Sequence, residues 1–142
     1  MLGILTALLS GALMSIQGIF NTEATKASSL WVSTSFVQFS ALVVCLIAWA
    51  FTGRESFGEL FAMPHKWALF GGVIGAFITV TVIKSMSALG PARAAMLIVV
   101  SQILVAYIIE LLGWFGVEHQ PFEWRKAGGM ALAVIGIVIF KW

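Results

Sequence analysis

Five apolar runs dominate this 142-residue chain, and each approaches the roughly 20 residues that a helix needs to cross a hydrocarbon core. They are Leu2–Phe20, Leu30–Phe51, Trp67–Leu89, Ala92–Leu112 and Trp124–Lys141. A soluble core of this size has no room for so many. Hydrophobic residues make up 61% of the chain and charged ones 10%, with a mean hydropathy of +1.03. Soluble domains sit near 45–50% apolar and about 25% charged, so lipid must take up the excess. The expected architecture is an all-α integral membrane protein, one membrane domain over residues 1–142 with five transmembrane helices. The last run is the weakest, with an unbroken apolar stretch of only fourteen residues, Ala127–Phe140. Met1–Phe20 has neither a basic start nor a convincing cleavage site, so it reads as a span and not as a signal peptide.

Tryptophan placement supports the same division. Trp31, Trp49, Trp67, Trp114, Trp124 and Trp142 all fall at or near span ends, where indole rings prefer the headgroup level. The connections are short. In "ALGPAR", Gly90 ends one helix and Pro91 suits the first turn of the next. In "TGRESFGELFAMPHK", Phe57, Leu60 and Phe61 fall on one helical face, which predicts a short interfacial helix. Cys45 is the only cysteine, which excludes an intrachain disulfide and offers no metal cluster. The two histidines lie in connections, and no Ser/His/Asp, Cys/His or metal-ligand constellation exists. No enzyme, cofactor or metal is expected. A net charge of +2, dispersed along the chain, gives no footprint for nucleic acid.

Charge does not decide the orientation. Arg54, Lys66, Arg125 and Lys126 flank the membrane on the amino-terminal side, and Lys26, Lys84, Arg93 and Lys141 flank the other. With four charges against four, the positive-inside rule favours neither orientation. Either features outside this count fix one orientation, or the chain inserts both ways and pairs antiparallel.

Polar residues mark some spans and not others. Thr6, Ser10, Gln17 and Asn21 lie on one face of the first span, with Met14 beside them. Trp31, Thr34, Gln38, Cys45 and Trp49 share a stripe of the second, and Ala95, Gln102, Ala106 and Ile109 a stripe of the fourth. The fifth has no polar side chain between Ala127 and Phe140. Interhelical hydrogen bonding at about 1 kcal/mol each would explain single glutamines as glue. A shared polar cavity would explain them together, and Ser10, Met14, Gln17, Asn21, Gln38, Ser101 and Gln102 are its candidate lining. Amides, hydroxyls, Trp and Tyr suit neutral, zwitterionic or amphipathic small molecules. No span carries a carboxylate at its centre. Glu110 lies about 12 Å along the helix axis from Gln102, near the interface, and is the best candidate for proton coupling. Lys84 and Arg93 read as snorkelling anchors, or as gates that attract an anion at one mouth. Gly71 and Gly75 form a GxxxG in the third span, and Gly129, Ala133 and Gly136 follow one face of the fifth, where helices pack closely.

"SIQGIFN" (Ser15–Asn21), "GGVIGA" (Gly71–Ala76), "ALGPARAAMLIVVSQILVAYIIELLGWFG" (Ala88–Gly116) and "WRKAGGMALAVIGIVIF" (Trp124–Phe140) together resemble the short five-helix YdcZ-type branch of the drug/metabolite transporter superfamily. The resemblance runs over nearly the whole chain. It implies a secondary transporter of the bacterial-type inner membrane, an exporter of small metabolites or drug-like molecules. Its working unit would have ten helices, reached when two five-helix chains pair antiparallel as a homodimer. Alternating access would rock the halves about a central cavity. The fifth span, through Gly129, Ala133 and Gly136, would make the dimer contact. Family members often carry Gly–Gln in the fourth helix and Asp–His near its end. Here these positions read Ser101–Gln102 and Glu110–Leu111, so a carboxylate–imidazole relay lacks its histidine. The alternatives are a passive channel and a non-transporting subunit of a heteromeric transporter.

Overall fold

The computed structural model describes residues 1–141, and Trp142 of the tryptophan belt lies outside them. It contains six α-helices: α1 (Leu2–Ala27), α2 (Leu30–Thr52), α3 (Phe57–Ala62), α4 (Gly71–Leu89), α5 (Pro91–Leu112) and α6 (Trp124–Lys141). No strand occurs among the described residues. The chain divides into two compact units, Met1–Ala88 and Leu89 onward.

In the first unit, α1 outlasts its apolar run by seven residues. Nothing between Asn21 and Ala27 is a glycine or proline, and Lys26 pairs with Glu23 at 2.6 Å on the surface of this extension. Serines end it. Ser28 turns both its N–H and its hydroxyl back onto α1, at 3.3 Å from the Thr25 carbonyl and 2.8 Å from that of Ala24. Ser29 then caps α2 by accepting from the Val32 N–H at 3.4 Å. The two helices are tied again where the Ser33 hydroxyl donates to the Asn21 carbonyl at 3.3 Å. Asn21, Thr22, Ser33 and Thr34 are buried there, together with Val80, Ile83 and Met86 of α4. The core of this unit is thus half polar. Gly18 lets α4 approach: a Cβ at that position would sit 2.5 Å from Met86 Cε.

The expected short helix forms as α3, with Ser56 accepting from the Gly58 N–H at 3.1 Å. Trp49 fixes its approach by donating from Nε1 to the Glu55 carbonyl at 2.9 Å, and its ring lies 5.1 Å from that of Phe57. A 3₁₀ turn, Lys66–Phe70, then leads into α4.

In the second unit, Gly90 takes a φ of 83° that other residues resist, and Pro91 opens α5 as the sequence predicts. α5 ends at Gly113, which is left-handed. The following loop returns to α5, with the Gln120 N–H bonded to the Glu110 carbonyl at 2.9 Å. Buried Tyr107 secures the start of α6: its hydroxyl accepts from the Glu123 N–H at 3.0 Å and lies 3.5 Å from the Glu123 carbonyl.

Four helical segments are long and apolar enough to cross a membrane: Leu2–Ala27, Leu30–Thr52, Lys66–Leu89 and Pro91–Leu112. No more than 17% of the most apolar window of any of them is buried, so lipid or protein must cover the rest. α6 is not among the four. It has 18 residues, and Arg125, Lys126 and Lys141 are charged.

Candidate functional site

Hydroxyls and amides behave differently in these helices. Ser15, Thr22, Thr25, Thr79 and Thr81 each return a hydrogen bond to a carbonyl four residues earlier, at 2.8–3.1 Å. Their polarity is settled inside the helix and asks for no further partner. The side chains of Gln17, Gln38 and Gln102 make no hydrogen bond among the described residues. Nor does an interhelical amide bond glue either unit internally. Since an unpaired amide in hydrocarbon costs several kcal/mol, these groups must meet water, a solute or protein beyond their own unit.

The α1 candidates come together. Ser10, Met14, Gln17 and Asn21 recur at intervals of four, three and four, which keeps them on one face. They line a groove of about 810 Å³ whose opposite wall is α2, with Val37, Ser40, Ala41, Val44 and Cys45. Ser40 donates to the Val37 carbonyl at 2.9 Å, so Gln17 and Asn21 bring the unsatisfied amides. Gln38 is half-buried and falls outside this lining. Its Nε2 lies 3.9 Å from where a Cβ at Gly75 of α4 would stand. Thr34 is buried with a hydroxyl that has no partner.

A second groove, about 390 Å³, lies between α5 and α6. Ile103, Ala106, Tyr107 and Glu110 face Lys126, Gly129, Met130 and Ala133 across it. It pairs the one carboxylate singled out for coupling with a lysine. Lys126 is held by Glu123 at 3.1 Å and sits 5.9 Å from the centre of the Tyr107 ring. Glu110 is half-buried. Ser101 and Gln102 are exposed on α5 and line neither groove. Lys84 and Arg93 are exposed near the end of α4 and the start of α5. Of the small residues of α6, Gly129 and Ala133 border the second groove, while a Cβ added at Gly129 or Gly136 meets nothing within 4 Å.

Sequence reasoning does not single out Cys45, Tyr107 or Lys126 as site residues. Cys45 shares a helical stripe with Gln38, and Tyr107 is the only tyrosine, but their neighbours depend on packing. Among the described residues no group of three or more His, Cys, Asp or Glu could hold a metal ion.

Residues 2–139 match the family described as "Putative inner membrane exporter, YdcZ", of the drug/metabolite transporter type. The chain belongs to the YdcZ family. The resemblance carried by the Gly90–Pro91 corner and the glycine-rich α6 is thereby borne out over nearly the full length. No curated protein and no solved structure matches the chain. Membership makes it a multi-pass inner-membrane protein of an exporter family, which is not an enzyme class. Its partners are the bilayer and a small-molecule substrate.

Proposed function

We propose that the chain is one half of a secondary active exporter. Two copies pair antiparallel to give ten helices and pass small neutral, zwitterionic or amphipathic molecules by alternating access. The α1–α2 groove is the substrate wall. Its support is the convergence of Ser10, Met14, Gln17 and Asn21 on one space of about 810 Å³, with amides that no other side chain among the described residues satisfies. That volume lies within the roughly 300–1,000 Å³ of small-molecule sites, and a polar solute supplies the missing hydrogen bonds. Gln38 offers a further polar group in the first unit, and the Ser101–Gln102 pair offers two more in the second.

Pairing rests on the four-to-four balance of flanking charges and on the open face at Gly129 and Gly136, with Ala133 between them. In this arrangement α6 is the fifth span. Ala127–Phe140 rises about 21 Å against a core of about 30 Å, so local thinning and snorkelling of Arg125 and Lys126 make up the difference. Glu110 is the coupling carboxylate, and Lys126 faces it across the α5–α6 groove. Lys84, near the end of α4, is a cationic gate.

The test is flux through the purified protein in proteoliposomes. Neutral, zwitterionic and cationic solutes are offered with and without a pH gradient. At least one should move with saturation and gradient coupling, and Gln17→Leu should abolish that flux in a protein that still folds. Unsaturable unitary conductance would make the protein a channel. Normal flux through Gln17→Leu would remove the groove from the pathway.

A further inference from the structure

Arg93 stands at a narrow slot between the first turns of α5 and the last turns of α6. Leu89, Met96, Leu97, Ile137 and Phe140 form the other walls, all of them apolar, and the space is about 150 Å³. That is below the roughly 300–1,000 Å³ of sites that enclose a whole small molecule. A segment of hydrocarbon chain fits it, and a polar metabolite does not. Among the described residues no carboxylate lines the slot, and the first turn of α5 contains no acidic residue. The Arg93 guanidinium has neither an ion pair nor a side-chain hydrogen bond among the described residues. An unpaired, exposed cation at the end of an apolar slot thus faces the membrane's own solvent.

A molecule that is anionic at one end and hydrocarbon along the rest complements both features. The guanidinium fork suits two phosphate oxygens at once, and the apolar walls suit an acyl chain. We propose that this slot is a selective site for an anionic phospholipid of the surrounding bilayer, its phosphate on Arg93 and one acyl chain between α5 and α6. Basic pockets between membrane helices recognise acidic headgroups in this way. Arg93 then acts on lipid and not on substrate, and the lipid bridges the α5 and α6 ends opposite those joined by Tyr107.

The test is lipid retention on the purified full chain, read by native mass spectrometry and by melting temperature in detergent. The probes are dioleoyl phosphatidylglycerol, dioleoyl phosphatidylcholine and glycerol 3-phosphate. Phosphatidylglycerol should be retained about tenfold more tightly than phosphatidylcholine, because both bring a phosphate to Arg93 but the choline ammonium of the second cancels the headgroup's net charge and is repelled by the guanidinium. Glycerol 3-phosphate should neither be retained nor raise the melting temperature, because it leaves the slot empty. Arg93→Gln should reduce phosphatidylglycerol to the level of phosphatidylcholine, and Arg93→Lys should recover part of the difference. Leu97→Trp fills the slot without touching the charge and should weaken phosphatidylglycerol by itself, which keeps the test open if Arg93→Gln fails to fold. Equal retention of both lipids would mean that Arg93 merely snorkels among bulk headgroups. Preference that survives Arg93→Gln, or glycerol 3-phosphate binding as well as the lipid, would overturn the assignment.

Discussion

Gly18 is where α4 presses against α1, and replacing it by valine tests the packing that aims its neighbour Gln17. The Cβ of any other residue would stand 2.5 Å from Met86 Cε, 2.6 Å from its Sδ and 3.2 Å from Val82 Cγ1. Met86 is buried, 5% exposed, but its thioether is the free end of a flexible chain. For Gly18→Ala, a helix-propensity gain of up to about 1 kcal/mol offsets part of an overpacking cost of about 1–3 kcal/mol. The net loss is then about 0–2 kcal/mol. Valine adds two stiff γ-carbons and moves the cost towards about 3 kcal/mol. Met86→Ala alone opens a cavity at about 2–5 kcal/mol. In combination the small residue makes room for the large one, so the double variant should lose at least about 1 kcal/mol less than the two single losses added together. Reversible unfolding in mixed micelles, followed by tryptophan fluorescence, measures all four proteins. Additivity within about 0.3–0.5 kcal/mol would show that α1 and α4 do not meet at Gly18, and the placement of Gln17 would fall with it.

Tyr107→Phe keeps the ring under Lys126 but leaves the Glu123 N–H without its acceptor, so it should cost about 1 kcal/mol and speed hydrogen exchange at the start of α6; unchanged exchange there would mean that the latch holds nothing. Reporters fused at the carboxyl end, one active only in the cytoplasm and one only outside it, should both give signal, and Arg125→Gln with Lys126→Gln should shift the ratio strongly. A single active reporter would exclude an antiparallel homodimer. Gly136→Leu should weaken dimers seen by crosslinking and light scattering while leaving insertion intact, since among the described residues nothing beyond the helix's own backbone and chain neighbours comes within 4 Å of a Cβ at that position; an unchanged mass would put the contact on another face.

What was legible in the sequence was whatever depends on one helix at a time. The four-three-four spacing of Ser10, Met14, Gln17 and Asn21 put them on a common face, and they line one groove. Gly90 and Pro91 announced the end of α4 and the start of α5, because few residues tolerate that φ or lack that N–H. The apolar run stops at Phe20 while α1 continues to Ala27, since a helix stops at a breaker or cap and not where its lipid contact stops. Neighbours were harder to read. Gln38 and Cys45 occupy one stripe of α2, yet Cys45 borders the groove with α1 and Gln38 lies by Gly75 of α4. A helical wheel gives an angle, and only packing says which helix fills it. Tyr107 was invisible as a latch because its partner is a backbone group sixteen residues away, brought back by a loop.

Cys45 offers the most direct test of whether the α1–α2 groove carries solute or faces lipid. It is the only cysteine, it is exposed and it lies on the groove wall opposite Gln17, so the native protein is its own reporter. The measurement is the rate at which a small charged methanethiosulfonate labels Cys45 in proteoliposomes, compared with a lipid-soluble maleimide. A water-filled substrate groove predicts labelling by the charged reagent, and slower labelling when Gln17→Trp narrows the space. Inertness to the charged reagent from both sides, with rapid reaction of the maleimide, would show that the groove faces hydrocarbon and is not the pathway.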